Sequence, residues 1–332
     1  MNMTMKELAE QTGVSQSTVS LVVNGKAAGR VSPDKQRRVH EAIKRYGFRP
    51  NLFAANLRNR QCRTIGICMP APTNAGYAAM MLEQQKHLHE KGFQCQFSFW
   101  QVPSRGHDIL RQELHDAFEI AFAHRVDGII AWYNYEGLEE ENIPTVIFGS
   151  EHPRFDSVEW EITRQGEMPV DYLTGLGHRN IAYFGFDGSQ APVVRRALLA
   201  HGLPAGPEQF IFRDPDQPIN FDRTMPDELF RRSDRPTALI CQSEHFAVNA
   251  IIHANAAGLR IPQDLSVLSA SIASAPPYSE PVTTITADAA EGVEKLVGLL
   301  QTRIAHPELP VRAVKLEAKL IDRGTCARPG GK

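Results

Sequence analysis

The stretch AEQTGVSQSTVSLVVN, residues 9–24, decides the fold of the amino-terminal part of the chain. A first helix is predicted to begin just before this stretch, because Thr4-x-x-Glu7 has the spacing of a capping box at a helix start. The stretch contains the end of that helix. Gly13 can supply the positive-φ residue that ends the helix, and Ser15 can cap a second one. Two short helices joined by a tight turn are therefore predicted.

The second predicted helix has two different sides. Its inward side is formed by three valines at helical spacing: Val19, Val22 and Val23. Its other side carries polar, uncharged groups suited to contacts in a DNA groove: Gln16, Ser17, Thr18 and Ser20. Ser32-Pro33 then provides the N-cap and first residue of a third helix. Two helices joined at a glycine and braced by a third predict a helix-turn-helix.

Charge is segregated along the chain. Residues 1–63 hold twelve Lys and Arg against four Asp and Glu, a net charge of +8, whereas the whole chain carries -2 and the remainder therefore -10. A small basic module on a larger acidic body indicates a protein that touches phosphate with one end only.

Residues 9–24 resemble the DNA-binding head of the lac repressor (LacI/GalR) family of bacterial regulators. The runs VSPDKQRRV at 31–39, YGFRPN at 46–51 and AANLR at 54–58 are similar to that family's third helix, the approach to its hinge and its hinge helix. The loop before residue 31 is a little longer than in some members. The resemblance implies a DNA-binding domain at 1–50 and a hinge helix and linker at 51–63.

The resemblance also implies which residues meet DNA. Gln16 and Ser17 would contact base edges in the major groove, where Gln can pair with adenine. Leu21 departs from the polar or basic residue common at its position and would instead contact a thymine methyl group. Leu57 matches the leucine that the family wedges into a minor-groove step. The full predicted set is Thr4, Ser15, Gln16, Ser17, Thr18, Ser20, Leu21, Asn24, Ser32, Lys35, Asn51, Ala54, Leu57 and Arg58.

From residue 64 onward, apolar runs alternate with amphipathic stretches, which is typical of parallel sheets with helices on both faces. Strands are predicted at 64–69, 94–100, 128–132, 145–148, 181–185, 209–212, 238–241, 266–270 and 313–320. Helices are predicted at 75–91, 109–124, 168–176, 192–201, 227–232, 246–257 and 287–304. The body is thus expected to be a two-lobed α/β domain at 64–332. Its first lobe would hold 64–155 and 286–307, and its second lobe 156–285 and 308–325.

The body also resembles the family's effector-binding core, which is shared with periplasmic sugar-binding proteins. The similar runs are RVDGII at 125–130, LGHRNIAYF at 176–184, GLRIPQDLSV at 258–267 and LIDRGT at 320–325. The resemblance implies a ligand in the cleft between the lobes, at the carboxyl ends of the strands.

The pocket is where the chain departs from the family. Gln190 and Ser271 stand where members commonly have an Arg and an Asp, so a monosaccharide or purine clamped by charges is disfavoured. Large aromatic residues at predicted strand ends either stack on a ligand ring or belong to the core, and both interpretations stay open. The predicted effector-binding residues are Asn74, Tyr77, Trp100, Trp132, Tyr133, Glu161, Gln190, Arg195, Gln242, Ser243, Glu244 and Ser271.

The sequence therefore predicts a sequence-specific DNA-binding transcription regulator, a repressor that binds a palindromic operator as a homodimer. A small-molecule effector would control this regulator, and in one interpretation the effector is related to carbohydrates. Two alternatives remain open. The first is a regulator of the same fold with a degenerate pocket, controlled by a protein partner or by no ligand. The second is a small-molecule binding protein without DNA activity, which the intact head disfavours.

Several classes of function have no support in the sequence. It has no G-x-S-x-G, no P-loop and no G-x-G-x-x-G after the first strand, so neither catalysis nor a cofactor is expected. Its five cysteines are scattered, and no metal site is expected. The first twenty residues lack a secretory signal, and no apolar run reaches the length of a membrane span. A cytoplasmic protein without a membrane partner is predicted.

Overall fold

The computed structural model describes residues 3–23, 25–48, 62–72, 75–100, 115–116, 118–119, 126–132, 138, 142–188, 190–213, 228–274 and 281–330. The chain divides into two compact units, Met1–Cys62 and Arg63–Lys332, which we call the head and the body. The predicted helix at 109–124 lies largely outside the described residues.

The head contains three helices, α1 (Met5–Thr12), α2 (Gln16–Val23) and α3 (Pro33–Tyr46). They surround one apolar cluster, whose buried members are Leu8, Ala9, Val19, Val22, Ala27, Val39, Ala42 and Phe48. Each helix contributes at least two of these side chains, as the spacing of apolar residues predicts. The predicted three-helix arrangement is confirmed.

The body alternates strands and helices along most of its length. In chain order its elements are β1 (Thr64–Pro70), α4 (Ala75–Glu90), β2 (Gln94–Trp100), β3 (Gly128–Trp132), β4 (Thr145–Phe148), β5 (Asp156–Trp160), α5 (Ile162–Gly175), β6 (Ile181–Gly185), α6 (Gln190–Ala200), β7 (Phe210–Phe212), α7 (Glu228–Arg231), β8 (Ala238–Cys241), α8 (Glu244–Ala256), β9 (Ser266–Ser274), β10 (Thr283–Asp288), α9 (Ala289–Ala305), β11 (Ala313–Leu316) and β12 (Lys319–Ile321). A 3₁₀ turn, Pro207–Gln209, precedes β7.

The strands form two six-stranded sheets, one in each lobe. The first lobe has the order β11-β5-β4-β3-β1-β2, with every pairing parallel. The second has the order β12-β10-β9-β8-β6-β7, in which only β10 and β12 pair antiparallel. β3, β4 and β6 are buried along their whole length, which is expected of parallel strands covered on both faces. The predicted two-lobed α/β fold is confirmed.

The chain crosses between the lobes at three places. The first crossing is Glu161, between β5 of the first sheet and α5, which packs on β9 and β10. The second is Asp288, where β10 ends and α9 begins, and α9 packs on β3, β4 and β5. The third is residues 317–318, between β11 and β12. Each lobe is therefore built from separate segments of the chain.

The predicted lobe boundaries are wrong at two strands. β5 and β11 fall within the ranges assigned to the second lobe, but both are hydrogen-bonded into the sheet of the first lobe. The tail strand predicted at 313–320 is in fact two strands that belong to different sheets. The helix predicted at 168–176 begins earlier, at Ile162, and continues through Pro169. β5 and β10 were not predicted as strands.

Candidate functional site

The first turn of α2 presents a compact group of hydroxyls. Ser15 Oγ accepts a hydrogen bond from the Thr18 backbone N–H at 3.2 Å, so it caps the helix. The same oxygen lies 2.8 Å from Ser17 Oγ and 2.9 Å from Thr18 Oγ1. No acidic residue stands in this turn, so the positive end of the helix dipole is left uncompensated. The turn is suited to a negatively charged or acceptor-rich partner.

The exposure of α2 matches the predicted division of its sides. Val19 and Val22 are buried in the head core, whereas Gln16 and Ser17 are exposed. Ser20 and Leu21 are half-buried at the flank of the helix. The structure thus leaves Gln16 and Ser17 accessible at the amino-terminal end of α2, which is the end that enters the groove in helix-turn-helix proteins.

Thr4 forms the predicted capping box with Glu7 at the start of α1. Its Oγ1 lies 2.9 Å from Glu7 Oε2 and accepts the Glu7 backbone N–H at 3.2 Å, and the Thr4 backbone N–H donates to Glu7 Oε2 at 2.7 Å. These hydrogen bonds lower the pKa of the Glu7 carboxyl. The Thr4 hydroxyl is therefore engaged in the cap of α1, and its contact with DNA stays a prediction.

The start of α3 offers two further predicted contacts. Ser32 is the N-cap residue, yet its exposed side chain makes no capping hydrogen bond. Lys35 is exposed on the first turn, and no carboxylate pairs with it among the described residues of the head. Both side chains remain available to phosphate. The predicted contacts Asn24, Asn51, Ala54, Leu57 and Arg58 lie outside the described residues.

The aromatic residues predicted to line the cleft belong to the first-lobe core. Trp132 and Trp100 are 1% and 3% exposed and sit in the same buried cluster. The Trp132 ring meets Tyr77 edge-on at 5.5 Å and Phe148 at 4.8 Å. Their rings are not available to stack on a ligand, because α4 and α9 cover this part of the sheet. The predicted aromatic floor is corrected to a core role for Trp100 and Trp132.

Two predicted glutamines hold strand ends of the second lobe together. Gln190 donates from Nε2 to Ala270 O at 3.0 Å, and its Oε1 lies 3.4 Å from the Tyr183 hydroxyl. Gln242 Oε1 accepts the Phe186 backbone N–H at 2.6 Å. Gln190 is 6% exposed. Gln242 directly follows β8 and Gln190 begins α6, and both amides are used inside the lobe.

Ser243 and Glu244 act within the second lobe at the start of α8. Ser243 Oγ caps the helix by accepting the Phe246 backbone N–H at 3.4 Å. Glu244 is 8% exposed, and its Oε1 lies 3.3 Å from Thr284 Oγ1 and 3.8 Å from Arg323 Nη1. The buried carboxylate therefore has an internal cation. The structure thus gives these two residues a capping and an ion-pairing role, and their contact with an effector stays a prediction.

Arg195, another predicted effector residue, contacts other groups of the second lobe. Its guanidinium lies 3.9 Å from the centre of the Phe210 ring and donates from Nη1 to Ala205 O. It lines a surface cavity of about 240 Å³ between α6 and β7. The remaining predicted effector residues are the half-buried Glu161 and Tyr77, the buried Ser271, and Asn74 and Tyr133, which lie outside the described residues.

The comparison with known proteins identifies the head first. The model of the bacterial regulatory proteins of the lacI family matches residues 4–51, and that of the periplasmic binding protein-like domain matches residues 170–326. Among curated proteins, catabolite control protein A of Priestia megaterium is 26% identical over 284 residues, which cover 81% of this chain and 82% of that one. The HTH-type transcriptional repressor PurR of Mannheimia succiniciproducens is 24% identical over 335 residues, which cover 96% of this chain and 97% of that one. The predicted resemblance to the lacI family of bacterial regulatory proteins is confirmed by the match of its model to the head.

The chain is a DNA-binding transcriptional regulator, and the predicted function is confirmed at that level. Its fold is also that of solved lacI-type structures. The lac repressor dimer bound to operator and the anti-inducer ONPF matches with a TM-score of 0.75 at 21% identity, covering 98% of this chain and 100% of that chain. The CelR–cellobiose complex matches with a TM-score of 0.64 at 23% identity and the same coverage. No helix in the described part of the chain is long and apolar enough to cross a membrane.

Sequence reasoning missed the role of two residues in the body. Trp160 is the last residue of β5, and its ring lies 4.7 Å from that of Phe148. It thus extends the series of ring contacts that Tyr77, Trp132 and Phe148 make. Asp288 caps α9 at the second crossing by accepting the backbone N–H groups of Ala290 and Glu291. An Asp followed by a long amphipathic run is a usable signal for the cap. Nothing in the local sequence shows that this cap lies at a crossing.

Proposed function

We propose that this regulator represses transcription by binding a two-fold-symmetric operator as a homodimer, with Gln16 and Ser17 reading base edges in each half-site. The observation that carries the proposal is the first turn of α2, where both side chains are exposed. They lie beside a cluster of hydroxyl groups, at the positive end of a helix dipole that no acidic residue compensates. The net charge of +8 on residues 1–63 supports phosphate contact around them.

The test is enrichment of duplexes from a random-sequence pool by the full-length protein. We expect the enriched sequences to be palindromic, because a two-fold dimer presents the same α2 to both half-sites. The protein should bind the enriched duplex far more tightly than a scrambled duplex of the same length at physiological salt. Equal affinity for the two duplexes would exclude sequence-specific regulation.

Two helices of the body support the dimer. Leu82 on α4 is 43% exposed and Ile252 on α8 is 62% exposed, which is unusual for such large apolar side chains. We propose that a second copy of the chain covers them. Ile252→Asp should then lower the molar mass in sedimentation towards that of a monomer, whereas Leu309→Asp, a change at another exposed leucine, should leave the mass unchanged.

The effector is proposed to be a neutral, carbohydrate-related molecule held where the lobes meet, near Glu161 and Ser271. Glu161 is itself a crossing residue, and Ser271 stands near the carboxyl end of β9, which contacts α4 of the opposite lobe. A molecule that bridges these elements would bias the relative position of the lobes. The solved relatives bound to ONPF and to cellobiose support a small organic ligand.

The effector proposal is tested by thermal shift of the full-length protein with neutral disaccharides, purines and phosphosugars. A neutral disaccharide should raise the melting temperature, and Ser271→Leu should abolish the shift. A response to phosphosugars alone would exclude a neutral ligand, and the absence of any response would favour control by a protein partner. We further propose that the protein acts in the cytoplasm, where operator DNA is found, and by binding rather than by catalysis.

A further inference from the structure

The surface cavity between α6 and β7 has no role in the function proposed so far. It has a volume of about 240 Å³ and lies at the outer edge of the second sheet, where β7 pairs with β6 as the last strand. Its lining consists of two arginines, one aspartate and four apolar residues. A cavity that combines both charges with an apolar wall has the composition of a small-molecule site.

One side of α6 forms the wall of the cavity. Ala191, Arg195 and Leu199 line it and recur every fourth residue, so they lie on the same face of the helix. Gln190, at the start of the same helix, is directed into the lobe, where its amide donates to Ala270 O. The cavity is therefore distinct from the place where the sequence predicts an effector contact on this helix.

The Arg195 side chain is held in place within the wall. Its guanidinium lies 3.9 Å from the centre of the Phe210 ring, and its Nη1 donates to Ala205 O. These contacts use one face of the guanidinium and one of its five N–H donors. In the described part of the lobe Arg195 has no carboxylate partner. A carboxylate can therefore bind its other donors, and little side-chain entropy is lost because the group is already oriented.

Asp187 brings a charge of the opposite sign to the same cavity. It is exposed just after β6, and it forms no ion pair with Arg195 or Arg196, although all three line the cavity. Arg196 comes within 3.9 Å of Glu167, but both side chains are exposed and such a pair is weak. The charged groups of the cavity thus suit a ligand that has a negative and a positive group of its own.

The rest of the lining is apolar, and two of its side chains are exposed to an unusual degree. Leu199 is 61% exposed and Phe212, the last residue of β7, is 38% exposed. Ala191 and Pro192 complete the apolar wall. An apolar group of a ligand would remove this surface from water. The volume lies below the range of about 300 to 1,000 Å³ that is typical of drug-sized ligands, so the ligand is small.

We propose that this cavity binds an α-amino acid with an apolar side chain. Arg195, assisted by Arg196, holds the carboxylate, and Asp187 holds the ammonium group. The apolar side chain of the amino acid packs against Leu199 and Phe212. A ligand with only one of the two charges would leave part of the cavity without a partner. The regulator thus has a second ligand site, separate from the effector site proposed near the crossing between the lobes.

The test is isothermal titration calorimetry of the full-length protein with L-phenylalanine and with L-leucine. We expect saturable binding of one amino acid per chain. The carboxylate 3-phenylpropionate lacks the ammonium group, and the methyl ester of phenylalanine lacks the carboxylate. Each should bind about tenfold more weakly than phenylalanine or less, because one charged side chain of the cavity loses its partner. Equal affinity for phenylalanine and 3-phenylpropionate would overturn the assignment to an amino acid.

Three variants test the lining. Asp187→Asn and Leu199→Asp change exposed side chains, so the core stays intact, and each should weaken phenylalanine binding about tenfold or more. Arg195→Met should abolish it. The matched control is Arg179→Met, because Arg179 also donates from Nη1 to a backbone carbonyl, that of Thr174, and lines another surface cavity of the same lobe. The control should bind phenylalanine as wild type does.

Ser271→Leu separates this cavity from the proposed effector site. Phenylalanine should bind this variant as it binds wild type, whereas loss of binding would place the amino acid at the effector site and overturn the proposal. Absence of binding of both amino acids to wild type would also overturn it, and so would an equal loss in Arg179→Met. None of these measurements uses DNA, so their failure is distinct from a failure of operator binding.

Discussion

Arg303 forms a bidentate ion pair with Asp156 inside the first lobe, across 147 residues of sequence. Arg303 Nε lies 3.1 Å from Asp156 Oδ2, and its Nη2 lies 3.0 Å from Oδ1. The Asp156 side chain is fully buried and also accepts the backbone N–H of Arg312 at 2.7 Å. Arg303 further donates to the carbonyls of Pro307 and Leu309. The pair thus ties the start of β5 to the end of α9 and to the segment that leads into β11.

Replacement of one partner should destabilise the body strongly. Arg303→Met leaves the Asp156 carboxylate buried without its bidentate cation, and we expect a loss of about 3 kcal/mol in the free energy of unfolding by urea. The matched control is Arg232→Met, because Arg232 makes the same bidentate contact with Asp234 at an exposed site. The control should change stability little. Similar losses of stability in both variants would show that burial of the Arg303–Asp156 pair does not determine the cost of breaking it.

Gln16 and Lys35 should affect DNA binding in different ways. Gln16→Ala should reduce discrimination at one symmetric base pair by about 1 to 3 kcal/mol, because a base-edge contact is lost. Lys35→Ala should lower the affinity for all sequences alike, because phosphate carries no sequence information. Competition binding with single-base variants of the enriched duplex measures both effects. The same profile in both variants would reject the division of roles.

Leu57 should bend the DNA without contributing to the fold of the head. Leu57→Ala is expected to remove the central kink of the bound duplex, because an inserted apolar side chain unstacks a minor-groove step. A circular-permutation gel assay measures the bend, and the melting curve of the protein provides the control. An unchanged bend angle in the variant would exclude the wedge.

His178 should make the stability of the body depend on pH. It is 1% exposed, with Nδ1 2.9 Å from Thr237 Oγ1 and Nε2 2.9 Å from Ala327 O. Burial lowers the pKa of His178 below its ordinary value of 6.5. As the pH falls, His178 is therefore protonated in the unfolded chain before it is protonated in the folded one. The contribution of neutral His178 to folding stability is fully present above about pH 6.5 and is lost as the pH falls below that value.

The measurement is the free energy of unfolding between about pH 7.5 and about pH 5.5. Wild type should lose stability over this window, and His178→Gln should lose less. The pKa values of Asp322 and Glu7 are also lowered, but carboxyls titrate at lower pH and do not obscure the comparison. A variant with the same slope as wild type would show that other groups control the pH dependence.

The head was predictable because its signals are local. The Thr4–Glu7 box, the glycine after α1 and the valines of α2 are all read within a few residues, and each forms as expected. The strand β5 was missed for the opposite reason. Its sequence DSVEW contains two acids, and the burial of Asp156 is compensated by Arg303 far along the chain. Neither fact is visible in a short window.

The predicted effector residues show the same limit. Trp132 ends a strand as expected, but whether its ring faces a cleft or a core depends on α4 and α9, which pack over it from other parts of the chain. Glu244 is predicted as an effector contact, whereas in the structure its cationic partner Arg323 comes from the tail. The position of each residue within a strand or helix is predictable from sequence. Whether its side chain is accessible to a ligand depends on packing against distant parts of the chain.

The three crossings between the lobes have a consequence for synthesis on the ribosome. The first-lobe sheet receives its outer strand β11 and the covering helix α9 only after the strands β6 to β10 of the second lobe have been made. The second sheet in turn waits for β12, close to the end of the chain. The first lobe can be completed only after β11 has emerged, and the second only after β12. The head has its entire apolar cluster within the first 48 residues and can fold long before the part that regulates it exists.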